Sequence, residues 1–188
     1  MLVGLEGDAQ MVETGLARSR AIIEQHGGMH MGESLGETWY QGRFEMPYLR
    51  DPMMERGLGV DTLETATTWS NLRALYAAVG DALRAALSER GTAPAVMCHV
   101  SHVYRSGASL YFTFIAAQER GAELDQWRAA KRAATDAIVA AGGTITHHHA
   151  VGADHRPWMT AEVGELGVRV LRAVKRELDP AGVLNPGK

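Results

Sequence analysis

Apolar residues recur at three- and four-residue intervals in four stretches of the chain, and each stretch ends at a helix-stopping signal. Asp8 can cap a first helix in which Val12, Leu16 and Ile23 lie near one face, with Gly27-Gly28 as its stop. A second runs from Ser70 or Asn71 to Arg90, carrying Leu72, Leu75, Val79, Leu83 and Leu87 in register and ending at Gly91. A third spans Glu123 to Ala141, its apolar face holding Trp127, Ala134 and Ile138 before Gly142-Gly143. The fourth begins after Pro157, with Val163, Leu166, Val170, Val174 and Leu178 in line, and Asp179-Pro180 closes it.

Strand patterns fill part of the remainder. Residues 96 to 104 and 109 to 117 read as two strands joined around Arg105-Ser106-Gly107-Ala108, an antiparallel hairpin, and Thr144 to His149 reads as a short strand. Leu2-Val3-Gly4-Leu5-Glu6 reads as an opening strand with no polar leader, as if the chain began in mid-fold. The stretch from Met29 to Thr68 has no clean period and is expected to be irregular; long irregular segments often carry function. The predicted fold class is α+β, a mainly antiparallel sheet with helices packed on one face.

Length and composition narrow the setting. The chain has 188 residues, enough for one domain with a core that needs no staples. A net charge of −3 gives no footprint for a phosphate backbone, so nucleic acid is not expected as a partner. Cys98 is the only cysteine, which excludes an intramolecular disulfide framework and suits a reducing cytoplasm. No apolar run reaches the roughly twenty residues of a membrane span. A cytoplasmic setting is expected, with peripheral contact to a membrane left open.

The sharpest chemical feature is His147-His148-His149. In an extended segment His147 and His149 would point one way and His148 the other. Zinc could be held by His147 and His149 with His102 or Asp154, but no paired cysteines or helical His-Glu spacing supports it, and no metal is expected. Acid-base or cofactor contacts suit imidazoles better, since each ring both donates hydrogen bonds and acts as a base near neutral pH. Tyr111 shares a strand face with Thr113 and Ile115, and is structural unless an imidazole adjoins it. Arg50 either pairs with Asp51 or clamps an anion through its planar guanidinium. No glycine-rich phosphate loop or nucleophile elbow is present.

Several segments together resemble one family. Tyr48-Leu49-Arg50-Asp51, Asp61-Thr62-Leu63-Glu64-Thr65 with Trp69, Leu110-Tyr111-Phe112-Thr113-Phe114, Gly142-Gly143-Thr144-Ile145-Thr146 with the histidine triplet, and Leu178-Asp179-Pro180 through Lys188 follow in order. They are similar to the C-terminal domain of FAD-linked oxidases of the vanillyl-alcohol oxidase superfamily. Asn185-Pro186-Gly187-Lys188 is common to that superfamily, including its hydroxy-acid dehydrogenases, while the triplet is more selective and resembles the alkylglycerone-phosphate synthases and their bacterial relatives. The resemblance implies a ferredoxin-like cap domain over all 188 residues, covering an FAD held by an N-terminal domain that this chain lacks. It implies exchange of the acyl chain of acylglycerone phosphate for a fatty alcohol, a step of ether lipid synthesis without net redox change, in which the flavin serves as electrophile and electron sink.

By matching position, Tyr111 resembles the acid-base residue, His147, His148 and His149 its supporting imidazoles, and Arg50 the ligand of the anionic head group. Thr62 falls where relatives have a small hydroxyl residue, and His148 and Asn185 fall beside the cofactor. The partners implied are an FAD-binding domain in cis or in trans and a small phosphate- or carboxylate-bearing substrate, a lipid among them; a homodimer is left open. The alternatives are a cap domain of an FAD-dependent hydroxy-acid or alcohol oxidoreductase and a non-enzymatic ferredoxin-like binding module.

Overall fold

A computed structural model describes residues 2–187, apart from the side chains of Met46 and Pro47. They form two compact units, one running to Pro52 and one from Met53 onward, where length alone predicts one.

In the first unit, helix α1 spans Ala9–Gln25, and the Asp8 carboxylate accepts the Met11 N–H at 2.9 Å, as the capping signal predicts. The chain turns off the helix at Gly27, where φ is 80°, and the Gly28 N–H returns to the Ile23 carbonyl at 2.9 Å. Helix α2, Ser34–Gly42, a 3-10 turn, Met46–Leu49, and helix α3, Arg50–Glu55, follow, the last running across the division. The expected strand at Leu2–Glu6 is absent, and Leu2, Val3 and Leu5 are exposed. Among the described residues its unit holds no second strand, and an unpaired strand leaves its backbone groups to water.

The second unit contains strand β1, Leu58–Thr68, helix α4, Leu72–Ser88, strand β2, Ala95–Ser101, and strand β3, Gly107–Ala117. Helix α5, Glu123–Ala140, the short helix α6, Gly152–His155, a 3-10 turn, Arg156–Trp158, and helix α7, Met159–Leu178, complete it. The sheet is antiparallel in the order β1-β3-β2. Helices α4 and α5 pack on each other and on one face of it, which is the predicted α+β arrangement. Leu63, Leu110, Phe112 and Phe114 of the strands meet Leu75, Val79, Leu83 and Leu87 of α4 and Ala134 and Ile138 of α5 in one buried cluster. Full burial of each large aliphatic side chain contributes about 1.5–3 kcal/mol, so this layer holds the unit together.

The region expected to be irregular, 29–68, instead contains α2, α3 and the whole of β1. Simple alternation is missing from β1 because Leu63, Glu64 and Thr65 are all buried, so both faces of the strand are covered. The hairpin β2–β3 forms as predicted, and Gly107 is required there: a Cβ would stand 2.0 Å from the Thr67 carbonyl oxygen. The predicted stripe of α7 is present on the surface: Val163, Leu166, Val170, Val174 and Leu178 are exposed, and Gly164, at φ 72°, interrupts the helix. Asp179 closes α7 by accepting the Lys175 ammonium and the Leu184 and Val183 N–H groups. The Lys175 hydrogen bond first, and the Leu184 N–H next, hold its carboxyl below the usual carboxylate range.

Candidate functional site: a buried carboxylate ringed by histidines

The segment after α5 was expected to be a strand, and it is an irregular loop instead. It still lies along the free edge of β1, donating from Thr144 N to the Ala66 carbonyl and from His147 N to the Glu64 carbonyl, both at 3.1 Å. Thr65 Oγ1 donates to the Thr144 carbonyl at 2.6 Å, Asn71 donates to the Ala141 carbonyl at 2.7 Å, and Ile145 is fully buried. So close a path needs glycine at 143, where a Cβ would stand 2.8 Å from Thr65 Oγ1 and 2.9 Å from both Leu75 methyls. From α7, Glu162 accepts the Ile145 N–H at 3.0 Å and the Thr144 hydroxyl.

Beyond His147 the backbone leaves the extended region. His148 has φ 37° and Ala150 φ 64°, left-handed values that non-glycine residues rarely adopt. The predicted alternation therefore fails, and all three imidazoles converge on Glu64: His147 Nδ1 lies 3.3 Å from Oε1, while His148 Nε2 and His149 Nε2 lie 3.2 and 3.1 Å from Oε2. His102, itself at φ 44°, brings a fourth ring to 3.9 Å from Oε1. The Ser109 hydroxyl donates to Oε1 at 2.6 Å, with the Ser101 carbonyl 2.9 Å away as a competing acceptor.

Glu64 is 3% exposed, on the sheet face opposite α4 and α5. Burial pushes its carboxyl upward, but the Ser109 hydrogen bond and the charges of His147, His148 and His149 together outweigh that and hold it below the usual carboxylate range. Its Oε2 is buried and has no hydrogen-bond partner, because the two nearby ring nitrogens are not aligned with it.

Two tyrosines meet the imidazoles. Tyr111 is the register partner of Glu64, so both project from the same face, and its ring meets His149 edge-on with centroids 5.5 Å apart. The contact is between rings, so an imidazole does adjoin Tyr111. The phenol that does hydrogen-bond an imidazole of the triplet is Tyr104, whose hydroxyl lies 3.3 Å from His147 Nε2. The Trp69 indole N–H fixes the hairpin connection by donating to the Tyr104 carbonyl at 3.0 Å.

The other candidate residues are Thr62, Asn185 and Arg50. Thr62 lies two residues along β1 from Glu64, on the same face, and its carbonyl accepts the Lys131 ammonium at 2.8 Å. Asn185 sits in the exposed turn after α7 with φ 46°, and Lys188 of the same motif lies outside the described residues. Arg50 belongs to the other unit, is exposed, and approaches Asp51 only to 4.0 Å. Sequence reasoning missed Glu64, Ser109, Tyr104 and the role of His102. The signal for Glu64 was available within Thr62-Leu63-Glu64-Thr65-Ala66, where β-branched and apolar residues flank a lone acid, once that segment is read as a strand.

Glu64, His102, His147 and His148 present donor atoms within 4.8 Å of one another, a set that shares His147 and His102 with the zinc set weighed from the sequence but has Glu64 and His148 where that one had His149. Both nitrogens of His147 are already engaged, one by Glu64 and one by Tyr104, so an ion would have to displace one of these contacts.

The fold and sequence have recognisable relatives. The chain is 31% identical over 187 residues to alkyldihydroxyacetonephosphate synthase of Dictyostelium discoideum, covering 100% of this chain and 31% of that protein. It is 34% identical over 182 residues to the synthase of the same name from Caenorhabditis elegans, covering 95% and 30%. A solved structure of alkyldihydroxyacetonephosphate synthase superposes with a TM-score of 0.63 at 26% identity, covering 98% of this chain and 31% of the other. An uncharacterized FAD-linked oxidoreductase of Escherichia coli K12, YgcU, is 22% identical over 191 residues. The chain thus spans about a third of the length of the curated synthases it matches. A family model matches it from residue 1 to residue 188, and the chain belongs to the FAD linked oxidases, C-terminal domain.

Proposed function

We propose that this chain is the substrate-side cap domain of an FAD-dependent enzyme of the alkyldihydroxyacetonephosphate synthase type, working with an FAD-binding domain supplied in cis or in trans. The observation that carries the reading is the convergence of the triplet on Glu64 with His149 against Tyr111. The flavin would supply an electrophilic, electron-accepting centre for the reacting carbon. Residues suited to face a group presented from outside are the half-exposed rings of His148 and His149, which offer hydrogen-bonding edges at the surface.

In this reading Tyr111 moves a proton at the reacting carbon and the imidazole of His149 beside it receives or returns that proton. Arg50 binds the anionic head group, for which a guanidinium supplies two parallel N–H donors, and Thr62 lines the site. Asn185 and His148 lie toward the cofactor. The expected substrate is a phosphate-bearing lipid precursor and the expected product an ether.

A second reading, a cap domain of an FAD-dependent hydroxy-acid or alcohol oxidoreductase, draws on two further likenesses. YgcU bears the name of an FAD-linked oxidoreductase. A probable mitochondrial D-lactate dehydrogenase of Danio rerio is 40% identical over 50 residues, 27% of this chain.

One experiment separates the two. The chain is combined with the flavin-binding domain of a synthase relative and offered acylglycerone phosphate with a fatty alcohol, or a hydroxy acid with an electron acceptor. Ether formation without acceptor reduction, abolished by Tyr111→Phe and by Arg50→Met, is the expected result. Acceptor reduction by a hydroxy acid, with no ether formed, would replace the first reading by the second.

A further inference from the structure

The feature that the cap-domain reading leaves unused is Glu64. A carboxylate this deeply buried is costly unless its lone pairs are matched by donors. Here Oε1 is matched by the Ser109 hydroxyl and by His147 Nδ1, while the nearest nitrogens of His148, His149 and His102 stand 3.2, 3.1 and 3.9 Å from the carboxylate without a hydrogen bond to it. Tyr104 stands behind His147 and Tyr111 against His149, and His99 of β2 is the register partner of Tyr111 on the same face.

An ionised carboxylate only accepts hydrogen bonds, so a ring nitrogen that hydrogen-bonds to it, as His147 Nδ1 does, must carry the hydrogen. The facing nitrogen is not the same in all three rings. His147 turns Nδ1 to the carboxylate, whereas His148 and His149 turn Nε2. A neutral imidazole holds one hydrogen, so the choice made at the inner nitrogen decides which outer nitrogen is left as a base. The outer nitrogen of His147 is Nε2, and the Tyr104 hydroxyl stands 3.3 Å from it, correctly placed to donate. The outer nitrogen of His149 is Nδ1, on the ring that meets Tyr111 edge-on.

We propose that Glu64, held by Ser109, is the positioning residue of the histidine triplet: through its hydrogen bond to His147 it selects the Nδ1–H form of that ring and leaves a lone pair on its outer nitrogen, Nε2. A carboxylate kept ionised by its donors can impose this throughout the neutral range, in keeping with the downward displacement of its titration. The selection at His147 is a sharp test, because free imidazole side chains favour the Nε2–H form and only a specific acceptor at Nδ1 reverses that. It also makes Tyr104 a donor into the triplet, a second phenol beside Tyr111.

The catalytic consequence rests on the cap-domain reading, and the hydrogen positions do not. The chain alone, labelled at its histidine nitrogens, is examined by two-dimensional nitrogen–proton NMR at about pH 8.5, some two units above the ordinary histidine value of about 6.5. Wild type is expected to show His147 as Nδ1–H. Glu64→Leu, which keeps volume and removes every acceptor, is expected to return His147 to the Nε2–H form, and Ser109→Ala to weaken the selection in the same direction. If Glu64→Leu does not fold, Ser109→Ala and the wild-type spectrum still decide.

In the assembled flavoenzyme Glu64→Leu is expected to lower kcat at least tenfold with KM for the phosphate-bearing substrate changed less than threefold. Wild-type His147 in the Nε2–H form, or an unchanged pattern in Glu64→Leu, would overturn the proposal. So would one equivalent of zinc shifting His102, His147 and His148 together and lost in Glu64→Leu, which would mark a metal centre. If the NMR pattern holds and the assembled enzyme makes no ether, the cap-domain reading fails and the positioning of the triplet stands.

Discussion

The two faces of one sheet are built on opposite principles. Toward α4 and α5, the strands present Leu63, Leu110, Phe112 and Phe114 to a layer of aliphatic side chains, and the residues there need only fit and exclude water. On the other face, β1 and β3 present Glu64, Ser109 and Tyr111 to a loop of histidines, and each contact depends on which atom carries a hydrogen. Apolar packing is non-directional and tolerates approximate volume, whereas a buried carboxylate among imidazoles is specific in direction and conditional on pH. The first face sets the stability of the unit, and the second fixes the direction of each ring around the carboxylate.

Truncation should break that contrast most visibly in the helical layer. Phe112→Ala, at a fully buried ring, should cost about 3–5 kcal/mol in a denaturant titration of the chain. On the histidine side, Gly143→Ala should cost about 1–3 kcal/mol, because its Cβ would meet Thr65 and Leu75 and push the loop off β1. That variant should also weaken the His147 selection, which ties the loop's path to its chemistry.

Acid sharpens the comparison further. The Glu64 carboxyl has a folded value below its ordinary one of 4.5, so its contribution is present above pH 4.5 and is lost as pH falls through the lower folded value. Urea melts between pH 6 and pH 3 should therefore lose part of their stability below about 4.5, and Glu64→Leu should flatten that slope while Phe112→Ala leaves it unchanged. The smallest effect is expected at His102, whose exposed ring stands farthest from the carboxylate: His102→Ala should stay within about 0.5 kcal/mol of wild type. A larger loss there would mean that the fourth ring is part of the buried network.

Much of the helical layer was legible in advance. The spacing of Leu72, Leu75, Val79, Leu83 and Leu87 located α4 to within two residues, and Gly142-Gly143 marked where α5 ends. The hairpin followed from its turn residues. The site was legible only as an inventory: the triplet and Tyr111 stood out, but their arrangement did not. Glu64 was hidden because β1 is covered on both faces and shows no alternation, and Tyr104 because nothing in Val103-Tyr104-Arg105 singles out its hydroxyl.

Local sequence thus determined the four long helices α1, α4, α5 and α7, the hairpin, the α+β class and the family, since each depends on short-range periodicity, turn chemistry or ordered motifs. Tertiary structure alone decided that three consecutive histidines would bend onto one carboxylate. That outcome depends on left-handed backbone at His148 and Ala150, on a glycine thin enough to lie against β1, and on an acid 83 residues away from His147 in the chain. Contacts of such separation obey no local period, so only the assembled sheet could specify them.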